Sequence, residues 1–160
     1  MKKAMFWTGT VIEHVIMILL IVLVSLTFVQ VIFRYVLGSP LVWSEEVIRY
    51  SLIWIVLLGA GLGLKDDAHI GVEYFLELLP EKAREGFLFL NILLISAVAV
   101  FLAVVGGRFA LNARGSTSPA MGIPNILIFC AIPVSAVTWL IFLIGKLSEI
   151  LVRSLHKEST

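Results

Sequence analysis

Glu45, Glu46 and Arg49 crowd into little more than one helical turn, and Arg34 shortly precedes them. Two carboxylates beside guanidinium groups could hold a cation, relay a proton or take up an anionic substrate. Asp66, Asp67 and His69 form a second polar group that could meet a cation, although a charged turn in water is the simpler reading. The chemistry goes no further. No G-x-S-x-G, phosphate loop or H-E-x-x-H occurs. His14, His69 and His156 have no partner at a metal-ligand spacing. Cys130 is the only cysteine, which excludes an internal disulfide and thiol oxidoreductase chemistry. The chain reads as neither an enzyme nor a cofactor or metal carrier.

The elements that must position these residues are membrane helices. Sixty per cent of the 160 residues are hydrophobic and 14% are charged, with a mean hydropathy of +1.06. A soluble domain of this size could not hide so much apolar surface. A net charge of +1 gives no basic face for nucleic acid. Residues 15–33, 86–107 and 125–145 are uncharged. At about 1.5 Å per residue they cover roughly 28–33 Å, the thickness of the hydrocarbon layer. The first stretch exceeds a signal-peptide core and no A-x-A site follows, so a retained first span is expected.

Residues 50–64 are also uncharged but reach only about 22 Å. Extension back to Ser44 supplies the missing length and draws Glu45, Glu46 and Arg49 into the helix. Gly38 and Pro40 end the first helix, Ser44 is the expected N-cap, and the two glutamates suit a helix start. The expected fold is all-α: four transmembrane helices (about 12–37, 44–64, 84–111 and 124–152) in one membrane domain over 1–160. A short amphipathic helix is expected at the interface over 70–79, with Val72, Phe75, Leu76 and Leu79 on one face and Glu73 and Glu77 on the other.

The outer-edge cluster has two readings. One is a substrate site. The other is a structural clamp in which Glu45 pairs with Arg49 and Arg34 meets either glutamate, assisted by Trp43 and Tyr50 as interfacial aromatics. Gly59 and Gly63 form a small-residue packing face, and Ala99, Ala103 and Gly107 offer a complementary stripe in the same chain. Mid-span polar groups are hydroxyls, Ser25, Thr27, Ser96, Ser135 and Thr138, which ordinarily bond to helix backbone. Pro133 is expected to kink the fourth span. No ionisable side chain stands near the middle of any span, so the chain carries no visible transport pathway of its own.

The run from Arg34–Tyr35 through Pro40, Trp43, Glu45–Glu46 and Arg49 to Trp54, Gly59–Ala60, His69–Ile70 and Pro80 resembles the small membrane subunit of TRAP transporters, the Q or DctQ subunit. Pro119, Ala120, Ile123, Pro124 and Pro133 resemble its outer loop and last helix. The acidic position that often follows H-I-x is Glu73 here, displaced by one. The resemblance implies a bacterial inner-membrane heterodimer with a large subunit that carries the sodium and substrate sites. It also implies a periplasmic binding protein that delivers an organic acid, sialic acid or a C4-dicarboxylate. The small subunit would be a scaffold that helps the binding protein dock. Membrane lipids complete the partners, and nucleic acid is absent from them. The alternative is a self-contained four-helix channel or exporter acting as a homo-oligomer.

Of the 12 basic residues, Arg34, Arg49, Arg108 and Arg114 fall on one side of the spans and the rest on the other. The positive-inside bias therefore places both termini in the cytoplasm. A reporter active only in the periplasm, fused after Thr160, is expected to be silent; strong activity there would invert the topology.

Overall fold

A computed structural model describes residues 2–65 and 81–157. The expected interfacial helix at 70–79 and the turn bearing His69 lie outside the described residues. Helix α1 spans Lys2–Tyr35, α2 Val42–Lys65 and α3 Glu81–Asn112. A 3-10 turn, Ala113–Gly115, leads to α4, Asn125–Phe129, and α5, Ala131–Lys157. Four stretches are long and apolar enough to cross a membrane: Met5–Tyr35, Val42–Lys65, Gly86–Gly115 and Asn125–Ser148. The chain is thus an all-α membrane protein, with no strand among the described residues.

Local chemistry sets the ends of the first two helices. After α1, Gly38 takes φ 65°, a left-handed conformation that needs no Cβ relief. The reversal lets the Ser39 N–H reach the Phe33 carbonyl at 3.1 Å, and Pro40 prevents resumption. Helix α2 then begins at Val42, two residues before the expected cap. Ser44 is not the N-cap. Its N–H and hydroxyl both donate to the Leu41 carbonyl, at 3.1 and 2.7 Å, which closes the first turn earlier.

The helices pack in the order α1, α2, α5, α3. Helix α5 stands between α2 and α3, so the faces of Gly59 and Gly63 and of Ala99, Ala103 and Gly107 do not meet each other. Near the terminal ends α1 also reaches α5, where Met5 covers Gly145. A small core forms there from Ile12, Leu58 and Phe142, flanked by Met5, Ile16, Trp54 and Leu62. Helices α1 and α3 take the flanks, and their outward apolar faces, such as Phe28 at 69% and Phe101 at 62% exposure, suit lipid.

Helices α2 and α5 cross closely at Gly61 and Trp139. A Cβ at Gly61 would lie 2.8 Å from Trp139 Cδ1. Absence of that carbon lets the indole lie against α2 and donate from Nε1 to the Leu57 carbonyl at 3.0 Å. On the other side of α5, Gly106 admits Ile132, next to Pro133. The fourth span breaks here: α4 ends at Phe129, and α5 resumes after Cys130. The Phe129 ring meets Phe109 edge-on at 4.6 Å, which ties the short α4 to α3.

Gly61→Leu must displace Trp139, whereas a Cβ at Gly63 meets nothing within 4 Å. Overpacking costs about 1–3 kcal/mol. Denaturant unfolding of the purified chain in detergent should show Gly61→Leu destabilised by about that amount and Gly63→Leu close to the parent. Equal losses would refute the assigned crossing.

Candidate functional site

At the end of the bundle away from the termini, α1, α2 and the α3–α4 connection meet. The connection, residues 113–124, is a hairpin that satisfies much of its own backbone. Asn125 N–H donates to the Ser116 carbonyl at 2.9 Å, and Ser118 N–H to the Ile123 carbonyl at 2.8 Å. Gly122, at φ 66°, turns the chain so that its N–H reaches the Ser118 carbonyl. The Ser118 hydroxyl accepts from Ile123 N–H at 3.2 Å, and the Asn125 side-chain amide donates to the Ser116 hydroxyl at 2.9 Å.

Two amides at the tip remain, and Glu46 takes both. Ala120 N–H donates to Oε1 at 3.0 Å and Met121 N–H to Oε2 at 3.1 Å. The carboxylate belongs to the first turns of α2, where helix-end amides also favour negative charge. Glu46 is 8% exposed and Ser118 3% exposed. The Ser118 hydroxyl and the Arg49 guanidinium also bear on that carboxylate. The buried carboxylate is thereby satisfied by two backbone donors at the hairpin tip.

The structure therefore divides the edge residues differently from a four-way charge cluster. Glu45 turns to α1, where Gln30 donates from Nε2 to its Oε1 at 3.1 Å. Arg34 is exposed, with its guanidinium 6.0 Å from the Tyr35 ring centroid. Neither Arg34 nor Arg49 comes within the 4.0 Å ion-pair distance of a described carboxylate. Trp43 is exposed at the same edge and Tyr50 is half-buried. The small residues divide too. Gly59 has only Ile16 Cδ1 near, 3.9 Å from where a Cβ would stand. Ala99 is fully buried and Ala103 half-buried, while Gly107 leaves open space.

The opposite end holds an ion pair not foreseen in the sequence. Lys65 Nζ lies 2.9 Å from Glu13 Oε1 and joins the end of α2 to α1. Gly9 makes the slot for the lysine: a Cβ there would stand 2.7 Å from Nζ. The signal available was depth. Glu13 is the one acidic residue of α1, and both 13–34 and 45–65 span about 30 Å as helix, so Glu13 and Lys65 reach the same membrane level. Gln30, Gly61 and Trp139 carried no comparable signal.

Between these two ends the molecule is chemically quiet. Thr27 and Thr138 donate to carbonyls of their own helices, at 2.7 Å each. The Ser135 hydroxyl, 1% exposed, has no partner among the described residues. Among those residues no group of His, Cys, Asp and Glu could hold a metal ion. The arrangement can tie helices together and fix a hairpin at the membrane edge.

Comparison with known proteins agrees. Residues 23–153 match the family model described as "Tripartite ATP-independent periplasmic transporters, DctQ component". A sialic acid TRAP transporter permease protein, SiaT, of Haemophilus influenzae is 30% identical over 74% of this chain and 19% of its own length. A putative TRAP transporter small permease protein of the same species is 27% identical over 79% of this chain and 77% of its own. The C4-dicarboxylate TRAP transporter small permease protein DctQ of Rhodobacter capsulatus is 30% identical over 62% of this chain and 44% of its own. The matched region spans about a fifth of the first relative and under half of the third.

With Glu13 45% and Lys65 18% exposed, their coupling should be modest, about 0.5–1 kcal/mol, and smaller at high salt. A double-mutant cycle of Glu13→Gln and Lys65→Met, read by unfolding in detergent, isolates the pair from other contacts of either residue. Strict additivity would show that the pair contributes nothing.

Proposed function

The chain belongs to the DctQ family of TRAP transporter components, a family of transporter subunits and not of enzymes, and from that premise we propose that it is the scaffold subunit of a sodium-coupled importer of organic acids. It forms a heterodimer with a large transport subunit and helps seat a periplasmic substrate-binding protein. Its residues 1–160 act as one membrane domain in the bacterial inner membrane, with both termini cytoplasmic and the hairpin end periplasmic. The substrate is of the sialic acid or C4-dicarboxylate class, after the names of the relatives.

One observation carries the reading: charge is confined to the two edges of the spans, and the middle offers hydroxyls and an indole N–H already given to the Leu57 carbonyl. A carrier that couples ion flow to a substrate needs ionisable or unwound elements at mid-depth, and another subunit must supply them. The edge residues Arg34, Trp43, Glu45, Glu46 and Arg49 then serve structure. In this role Glu45 holds α1 to α2, Glu46 holds the hairpin, and the arginines and Trp43 face headgroups and water. The small residues Gly59, Gly63, Ala99, Ala103 and Gly107 serve helix packing, and open positions such as Gly63 and Gly107 are free for the large subunit.

Reconstituted alone in liposomes, the chain should show no sodium-driven uptake of sialic acid or C4-dicarboxylates. Addition of the large subunit and loaded binding protein should produce uptake that requires the sodium gradient. Uptake by this chain alone would instead establish a homo-oligomeric carrier.

A further inference from the structure

Resting on the docking role above, we propose that Glu46 is the positioning residue of the hairpin: by holding the Ala120 and Met121 amides it fixes residues 119–121 as a preformed apolar tip on which the periplasmic binding protein seats.

The hydrogen-bond pattern motivates this. The hairpin uses the N–H groups of Ser116, Ser118, Gly122, Ile123 and Asn125 for bonds within the connection. The amides of Ala120 and Met121 find their acceptor only across the chain, in Glu46. Without that carboxylate the two amides would turn to water, and the hairpin, though still closed on itself between Ser118 and Ile123, would lose these bonds to α2. With it, the tip is referenced to α2, a helix anchored in the bundle through Leu58 and through Gly61 against Trp139. The hairpin's own bonds shape the tip, and Glu46 fixes where that shape stands relative to the bundle.

The tip is also suited to a soluble protein partner. Pro119, Ala120 and Met121 are exposed, Met121 at 38%. They lie in the connection between the third apolar stretch, which ends at Gly115, and the fourth, which begins at Asn125. An apolar tip with an adaptable methionine fits a shallow apolar depression. Because its backbone is already ordered, docking forgoes the entropy of freezing a loop. Loss of the Glu46 contact should therefore weaken docking and leave the membrane-embedded assembly intact.

The test uses the complete transporter in proteoliposomes, titrated with loaded binding protein. Glu46→Gln presents an amide donor to one of the tip N–H groups. Glu46→Asp keeps the charge and falls one methylene short of the amides. For both variants we expect normal co-purification with the large subunit, normal maximal uptake, and a half-saturating binding-protein concentration raised about tenfold. Hydrogen exchange at Ala120 and Met121 should accelerate in the same variants. Glu13→Gln, at the far end, should move neither readout. Unchanged half-saturation despite faster exchange would overturn the proposal, as would amides that stay protected in both variants. Lost co-purification or lower maximal uptake at unchanged half-saturation would make Glu46 an assembly strut and also overturn it. If the unaltered transporter took up substrate without binding protein, the docking role itself would fail; that outcome is distinct from the others because it appears before any substitution.

Discussion

A hydrocarbon layer about 30 Å thick accepts neither a lone charge nor an open backbone amide, and nearly every polar contact here answers that constraint. Both ends of α1 and α2 are closed by side chains at matching depth. At one end Lys65 and Glu13 neutralise each other. At the other, Glu45 takes the Gln30 amide and Glu46 takes two backbone N–H groups of the hairpin. Between them the chain spends its polarity sparingly, on hydroxyls turned to their own helices and on the Trp139 indole given to the Leu57 carbonyl. Among the described residues, charge therefore stays at the two edges of the spans.

Inside the layer, cohesion comes from close approach, since lipid gives apolar side chains no reason to prefer one another. The contacts that set the helix order are therefore places where a side chain is missing. Gly61 admits Trp139, Gly106 admits Ile132, and Gly145 admits Met5. All three lie on or against α5, which explains why that helix occupies the interior of the row and why its face is the most deeply packed, with Ala131, Ser135, Ala136 and Phe142 all at 1% exposure or less.

The sequence made the four spans legible because long uncharged runs have few alternatives. It also showed that Glu45 and Glu46 must belong to α2, since residues 50–64 alone cannot cross. It did not show their partners. A carboxylate that binds backbone amides across 74 residues leaves no complementary letter to find, and the eye pairs it with the nearest arginine instead. Small residues were equally ambiguous. The spacing of Gly59 and Gly63 marks a helix face, but the approach occurs at Gly61, because the direction from which α5 arrives is not written in α2. Spans that are apolar all round give no moment to reveal their neighbours, so the order α1, α2, α5, α3 had to come from the structure. Ser44 shows the same limit on a smaller scale: a good capping residue was displaced into the first turn by the Leu41 carbonyl.

Away from the terminal ends, where α1 also meets α5, that order makes the molecule a row and not a closed bundle. At about 8–10 Å per neighbour, the axes of α1 and α3 can stand up to roughly 30 Å apart. Rotation of so broad a body within its own plane lifts one flank out of the hydrocarbon and sinks the other, and each ångström of mismatch carries an energetic penalty along both outer helices. A single helix tilts freely; a palisade of four does not. The row thus resists rocking: its attitude to the bilayer is set by several helices side by side and not by one.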